Sequence, residues 1–392
     1  MNNNIKIDVD PEIHEEAINI LKEGNPLEYI VKAVGKRHKG DINQIKILAL
    51  SYPALLAGTV GHRFISGDSE SGKSNIAREV GKTLPDEIFV DLAGSSPKSK
   101  FYLIRKDPHA LEDKVLLYDD TKIDDAEFRR LIRILKDLRP GEEKIYETII
   151  ERKPERLPIR GNCVIWETAV SKPSDKQDYS RGICITPDDN PAHRLSVEKE
   201  IRRLEGKNHK RLMPEEYPIC KEIAQIIREV KREGVIVPYF ERIEGVHGYR
   251  SNDYFMSLIK GHAMLFYFQR EKNEEGKVIT IEKDFEFAKN VWIATIGERR
   301  LTDQQKSVYN NLPIYADANK TQIDNEKIRL LFGVSESRAS QILNKMEEGG
   351  LAGFIRDYPN YRRKFWYKKK IEVDKPRLLE PGESEDDGLW EL

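Results

Sequence analysis

Gly67-Asp68-Ser69-Glu70-Ser71-Gly72-Lys73-Ser74 fits G-x-x-x-x-G-K-[ST], a spacing suited to wrapping backbone around phosphate oxygens. The glycines let the chain curl so that successive N–H groups converge on an anion. The apolar run 63–66 supplies a strand before the loop, and the pattern over 73–83 supplies a helix whose N-terminus favours negative charge. In that setting Lys73 reaches the β/γ-phosphates and Ser74 ligates Mg²⁺. Asn75 completes the expected binding segment.

A second metal-side group is expected at the end of another buried strand. Val115-Leu116-Leu117-Tyr118-Asp119-Asp120 provides it. Asp119 is expected to hold Mg²⁺, directly or through water, and Asp120 to orient and polarise the attacking water. The run 163–166 leads into Glu167-Thr168. Thr168 is the expected sensor of the γ-phosphate and holder of the water.

These groups need a scaffold, and short apolar runs at 63–66, 88–91, 115–118 and 163–166 suit strands buried on both faces of a parallel sheet. The expected fold is α/β over 58–195. Residues 1–57 read as an N-terminal helical region. Ile13, Ala17, Ile20 and Leu21 keep a helical spacing, Gly24-Asn25-Pro26 breaks it, and further helices are expected over 27–34 and 42–56. Residues 196–300 read as helical throughout, except for an extended piece at 277–280. Between Asp120 and Thr168 lie a helix (125–138), Pro140-Gly141, and two extended stretches that read as a hairpin with a basic turn over 144–160.

Here the chain resembles the AAA+ helicase-type ATPases of the minichromosome maintenance and viral-helicase group. It is similar, more closely, to helicase-like modules attached to primases in phages, plasmids and archaeal elements. The resemblance covers roughly residues 10 to 295. It implies a P-loop AAA+ domain with a helical lid, ATP and Mg²⁺ at subunit interfaces, and a ring, expected to be a homo-hexamer. It implies that the hairpin contacts single-stranded DNA in the ring's channel, with Arg152 and Lys153 at its tip. Tyr179-Ser180-Arg181-Gly182-Ile183-Cys184-Ile185 is similar to a Ser-Arg-Phe-Asp segment whose arginine reaches a neighbour's γ-phosphate. Arg181 is the implied arginine finger, with Arg194 as fallback. A guanidinium's planar fork matches phosphoryl oxygens. Tyr249-Arg250-Ser251-Asn252 resembles the start of the lid, where Arg250 is the implied second sensor.

Residues 301–370 form a further unit. Helices are expected over 302–312 and 325–332, with Gly333-Val334-Ser335 as the turn and Ser335 as N-cap of the next helix. Ala339, Ile342, Leu343 and Met346 mark that helix's buried face. Its other face offers Ser337, Arg338, Gln341, Asn344 and Lys345 to base edges and phosphates. Strands around Tyr358-Pro359-Asn360 make a wing, with Arg362, Arg363 and Lys364 meeting a DNA backbone. This resembles winged-helix DNA-binding domains, which implies duplex DNA as a partner.

The net charge of −1 hides segregation: 302–370 carries thirteen basic and eight acidic side chains, whereas 371–392 carries two basic and eight acidic. The acidic tail is expected to be without structure. The even overall balance excludes a wholly basic nucleic-acid coat protein. Apolar runs are too short for a bilayer, and no membrane partner is expected. Three cysteines, Cys163, Cys184 and Cys220, fit no CxxC metal spacing and read as reduced thiols of a cytoplasmic protein. His247 and His262 read as structural. The function expected from these readings is an ATP-dependent DNA helicase or translocase of a replication system. Priming would come from a separate primase or polymerase. The alternatives are an ATP-controlled origin-binding or loader protein, or a DNA-binding regulator, neither of which unwinds DNA.

Overall fold

The computed structural model describes residues 10–59, 61–67, 71–92, 97–119, 126–139, 141–150, 153–169, 182–187, 195, 197–199, 202, 213–230, 234–246, 249–297, 308–309, 311–348, 352–356, 364–368 and 376–380. The chain divides into two units, one of residues 1–296 with 375–392 and one of 297–374.

The first unit is built on five parallel strands: β1 (Arg63–Ser66), β2 (Phe89–Asp91), β3 (Val115–Tyr118), β6 (Val164–Ala169) and β7 (Ile183–Ile185). Their order across the sheet is β2-β3-β6-β1-β7. All four residues of β1 and of β3 are buried, as the apolar runs require for a sheet covered on both faces. β6 continues past the expected end at 166, so Thr168 lies within the strand and not after it. The segment read as the finger loop contains the fifth strand, Ile183–Ile185, against β1.

Helices α1 (Pro11–Glu23) and α2 (Pro26–Gly35) each begin with proline at the first turn, behind the capping side chains of Asp10 and Asn25. The single helix expected over 42–56 is instead two, α3 (Ile42–Ala49) and α4 (Ser51–Leu56). Pro53 is the cause: it has no N–H for the carbonyl of Ala49, and its ring crowds that carbonyl. The phosphate-loop helix is α5 (Lys73–Gly81), followed by α6 (Pro97–Lys106) and α7 (Ala126–Asp137). Between α7 and β6 stand β4 (Glu143–Ile150) and β5 (Lys153–Arg160), an antiparallel pair in which Ile150 faces Lys153. Tyr146, Leu157 and Ile159 anchor one face of this hairpin in the core shared with Leu131 and Leu135 of α7.

The expected all-helical stretch 196–300 is interrupted. Helices α8 (Glu216–Val230), α9 (Tyr249–Leu265) and α10 (Glu282–Trp292) are present. Between them β8 (Val235–Ile236) pairs in parallel with β10 (Val278–Ile279). The β-branched run Val235-Ile236-Val237, bounded by Gly234 (φ +88°) and Pro238, is the local signal for the extra strand. The N-terminal helices do not form a core of their own. Ala17, Leu21, Ile223, Ile227, Phe255 and Trp292 belong to the same buried cluster as Ile65 and Trp166 of the sheet.

The tail is not structureless throughout. β13 (Arg377–Leu378) pairs antiparallel with β9 (Ile243–Glu244), and Arg242 donates through Nε to the carbonyl of Leu379 at 2.8 Å. Leu379 is buried. Leu379→Ala is expected to cost about 2 kcal/mol of unfolding free energy, the low end for a buried leucine near the surface, measurable by urea denaturation.

In the second unit, α11 (Ala318–Thr321), α12 (Asn325–Phe332) and α13 (Glu336–Glu348) precede the antiparallel strands β11 (Ala352–Arg356) and β12 (Lys364–Lys368). Gly333 closes α12 at φ +61°, and Ser335 accepts from the N–H of Arg338 at the start of α13. Ile328, Ala339, Leu343, Met346 and Trp366 form the core. Trp366 donates through Nε1 to Asn325 at 2.8 Å. The short α11 was not expected. Of the helix expected over 302–312, residues 302–307 and 310 lie outside the described residues, while Val308, Tyr309 and Asn311 are helical. Among the described residues no helix is long and apolar enough to cross a membrane.

Candidate functional site

β1, β3 and β6 are parallel, so their carboxyl ends share one edge of the sheet, where loops can gather side chains around a ligand. The first of these loops carries Ser71, Gly72 and Lys73. Gly72 has φ +84°, a conformation that disfavours any side chain. A Cβ on Gly67 would stand 2.7 Å from Ser71 Oγ, so the loop closes only on glycine. Lys73 is buried and donates through Nζ to the carbonyl of Gly67 at 2.9 Å. Ser71 Oγ is buried with no hydrogen-bond partner. An unpaired buried hydroxyl beside a lysine ammonium and a helix N-terminus fits a phosphate acceptor.

Asp119 follows β3 and is held at both carboxylate oxygens. Ser74 donates to Oδ1 at 2.6 Å and Thr168 to the same oxygen at 2.5 Å. Arg78 donates through Nη2 to Oδ2 at 2.5 Å. Burial opposes the charge on Asp119, but the hydroxyls of Ser74 and Thr168 and the Arg78 guanidinium outweigh it and hold its pKa below the ordinary carboxylate value. The pair Ser74–Asp119 is a hydroxyl and an ionised carboxylate in contact, the oxygen donor set that suits Mg²⁺. Thr168, expected to face the nucleotide, turns its hydroxyl to Asp119. Thr168→Val is expected to raise the pKa of Asp119 and to slow nucleotide hydrolysis about tenfold, with the loss steepest on the acid side of a pH profile.

Asn75 lies in the first turn of α5, and its amide donates to His38 Nδ1 at 2.9 Å. His38 is buried, and its Nε2 lies 2.8 Å from Asp41 Oδ2. With Nδ1 accepting from Asn75, the imidazole proton sits on Nε2 and is given to Asp41. The Asn75 side chain is therefore a link to the N-terminal helices. Asp41 itself has φ +53°.

Arg250 stands exposed in the first turn of α9 and shares the surroundings of Tyr254 with Arg63 and Arg139. Arg63 begins β1, whereas the phosphate loop follows its other end. The structure thus sets Arg250 near Tyr254, as it does Arg63 at the amino end of β1. Lys153 is exposed at the hairpin's turn. Ser337, Arg338, Gln341 and Asn344 are exposed on α13, and the Lys364 ammonium lies 3.9 Å from the centre of the Phe354 ring. Asp68, Ser69, Glu70, Asp120, Arg152, Arg181, Arg194, Arg362 and Arg363 lie outside the described residues, as does the side chain of Lys345.

Three side chains at this edge escaped the sequence reading. Arg78 had a usable signal: it follows Ser74 by four residues on α5 and so shares its face. Asp91, which accepts from Arg78 Nε at 2.9 Å, ends a strand adjacent to β3. His38 had none, because its place beside Gly72 comes from packing between distant segments; a Cβ on Gly72 would meet His38 Cε1 at 3.4 Å.

The comparisons agree with this geometry. Residues 10–230 match the model of the MTBMA_p00010 P-loop domain. The chain is 24% identical over 324 residues to the "Uncharacterized protein MTBMA_p00010" of Methanothermobacter marburgensis, an overlap of 78% of this chain and 39% of the relative. The chain thus spans about two fifths of that relative's length. The matched family span takes in more than half of the residues and holds both the phosphate loop and Asp119, and the chain belongs to the MTBMA_p00010 P-loop domain family.

Proposed function

We propose that this protein is an ATP-dependent DNA helicase or translocase that works as a ring and belongs to a replication system of archaeal, plasmid or viral type. The observation that carries the reading is the hairpin of β4 and β5, inserted between the Asp119 strand and the Thr168 strand of a nucleotide-binding sheet. A hairpin so placed joins the nucleotide edge to a pair of strands with one exposed face. The second unit adds a helix pair joined by a glycine turn and a two-stranded hairpin, which support a winged-helix reading and duplex DNA as its partner.

In this reading the loop amides, Ser71 and Lys73 bind the phosphates of ATP, and Ser74 and Asp119 hold Mg²⁺. The cation when bound neutralises charge on the phosphate oxygens. Asp120 activates water, and Thr168 keeps Asp119 in place. Arg181 and Arg250 would serve a neighbour's nucleotide. The grouping of Arg250 with Arg63 and Tyr254 favours action across a subunit boundary over action on its own loop. Lys153, with Arg152, would touch the DNA strand in the channel, and Ser337, Arg338, Gln341, Asn344, Lys345, Arg362, Arg363 and Lys364 the duplex.

One observation favours the alternative, an ATP-controlled DNA-binding or loading protein without unwinding activity. The outer face of the hairpin is not basic. Arg156 pairs with Glu147 at 3.1 Å and Arg160 with Glu143 at 2.5 Å; the exposed Ile145 stands between these pairs and the exposed Ile149 beyond them, toward the turn. Strand displacement on a forked DNA with ATP and Mg²⁺, beside Lys73→Ala, separates the readings. Unwinding that the mutant lacks supports the motor. Hydrolysis with tight duplex binding but no displacement overturns it in favour of the switch.

A further inference from the structure

Arg78 is the one cation in direct contact with the Asp119 carboxylate among the described residues, and the catalytic reading above assigns it no part. It stands on α5 one turn past Ser74. Its Nε donates to Asp91 Oδ2 at 2.9 Å and its Nη2 to Asp119 Oδ2 at 2.5 Å. The two carboxylates follow from adjacent strands, since Asp91 ends β2 and Asp119 comes directly after β3. A guanidinium presents several donors in one rigid plane, so it spans two carboxylates in a fixed orientation; an ammonium on a flexible stem does not.

The division of oxygens gives this bridge a consequence. Oδ1 of Asp119 takes the hydroxyls of Ser74 and Thr168, and Oδ2 takes only Arg78 among the bonds described. The guanidinium therefore decides which oxygen faces Ser74. It also places a positive charge against the far side of the carboxylate that would hold a divalent cation. Asp91 in turn offsets part of that charge. Arg78 and Asp91 should thus act on cation affinity with opposite signs.

We propose that Arg78, tethered by Asp91, is a positioning residue that orients Asp119 and weakens the site's hold on its divalent cation. The inference rests on the reading of Ser74 and Asp119 as the cation ligands.

The test uses Mn²⁺ as probe, its binding to the full chain saturated with ADP being followed by electron paramagnetic resonance, with hydrolysis measured in parallel. Arg78→Ala is expected to bind Mn²⁺ about fivefold more tightly, a modest factor because the half-exposed guanidinium is screened by water. Its hydrolysis falls all the same, because Asp119 is no longer oriented. Arg78→Lys keeps the charge and loses the fork, so Mn²⁺ affinity stays near wild type while hydrolysis remains low. Asp91→Asn strengthens the charge felt by Asp119 and weakens Mn²⁺ binding about threefold. Equal or weaker Mn²⁺ binding by Arg78→Ala overturns the inference, as does a shift of the same sign in Asp91→Asn. If Arg78→Ala does not fold, Asp91→Asn and Arg78→Lys decide the matter by the same criteria. A wild-type chain that binds ADP but takes up no Mn²⁺ overturns the ligand assignment, and the inference with it.

Discussion

Lys73→Ala is expected to reduce nucleotide hydrolysis by a factor of a hundred or more while the chain stays folded. Lys73 is 8% exposed, and the hydrogen bond from its ammonium to the Gly67 carbonyl keeps it over the curl of backbone. A preorganised cation in a site shielded from water stabilises charge on transferring phosphoryl oxygens far better than a mobile one in solvent, and loss of one such donor costs about 3–4 kcal/mol of transition-state stabilisation. The cost to folding is smaller. One carbonyl loses one partner, worth about 1 kcal/mol, and α5 keeps its buried Ile76, Ala77 and Val80. Phosphate release at saturating ATP and Mg²⁺, beside a thermal melt of both proteins, checks the separation. Turnover within tenfold of wild type would mean that the phosphates are gripped elsewhere.

Asp284→Ala is expected to have the opposite profile, a large loss of stability in the first unit with no direct part in nucleotide chemistry. Asp284 is fully buried at the start of α10. It accepts from Arg270 Nε at 3.0 Å and Nη2 at 2.7 Å, faces His262 Nδ1 at 2.6 Å, and caps the N–H of Ile281 at 2.9 Å. Removing one member of a buried charged network strands the others in apolar surroundings, here Arg270 among aromatic rings, at about 3–5 kcal/mol. For a unit of this size the melting temperature should fall by about 10 °C.

The same region sets the acid limit of the fold. Burial opposes the charge on Asp284, but the hydrogen bonds from His262 and Arg270 prevail and hold its pKa below the usual value. Its contribution is therefore complete above the unfolded pKa of about 3.9 and is lost as pH falls through the lower folded value. Burial likewise lowers the pKa of His262, against the pull of Asp284. His62 is pushed down to about 3, chiefly by burial and then by Lys136. It gives its Nε2 proton to the Lys136 carbonyl and accepts the Ile165 N–H at Nδ1, so the neutral ring is fully used. Below about pH 6.5 the unfolded chain takes up protons at both histidines more readily than the folded chain does, most of all at His62. Stability should fall from there downward, by about 1.4 kcal/mol per pH unit for His62 alone. Urea unfolding at pH 7.5 and 5.5 measures it.

What was legible in the sequence depended on whether the signal was local. The phosphate loop is set by neighbours along the chain: a buried strand, two glycines where φ or close approach demands them, and a helix start. β1, β3 and most of β6 are buried on both faces and so read as apolar runs, and Asp119 follows from such a run. The hairpin could be read because two extended stretches flank a short charged run, although its second strand begins at Lys153, inside the expected turn.

Tertiary structure decided the rest. The break between α3 and α4 followed from one proline, and β10 was legible as the extended piece at 277–280, but the Ile183–Ile185 strand is too short to show a period and is fixed by its pairing with β1. Arg377 and Leu378 became a strand because β9 offered an edge, in a stretch whose acidic composition argued for none. Thr168 and Asn75 were expected to face the nucleotide, but their hydroxyl and amide are drawn to Asp119 and His38, partners at 49 and 37 residues' remove. Arg78 and Asp91 met across two strands and a helix. The residue types and local spacings determined that a phosphate site of this kind exists; which oxygen of Asp119 each neighbour holds was decided by packing, because hydrogen bonds between distant segments have no signature along the chain.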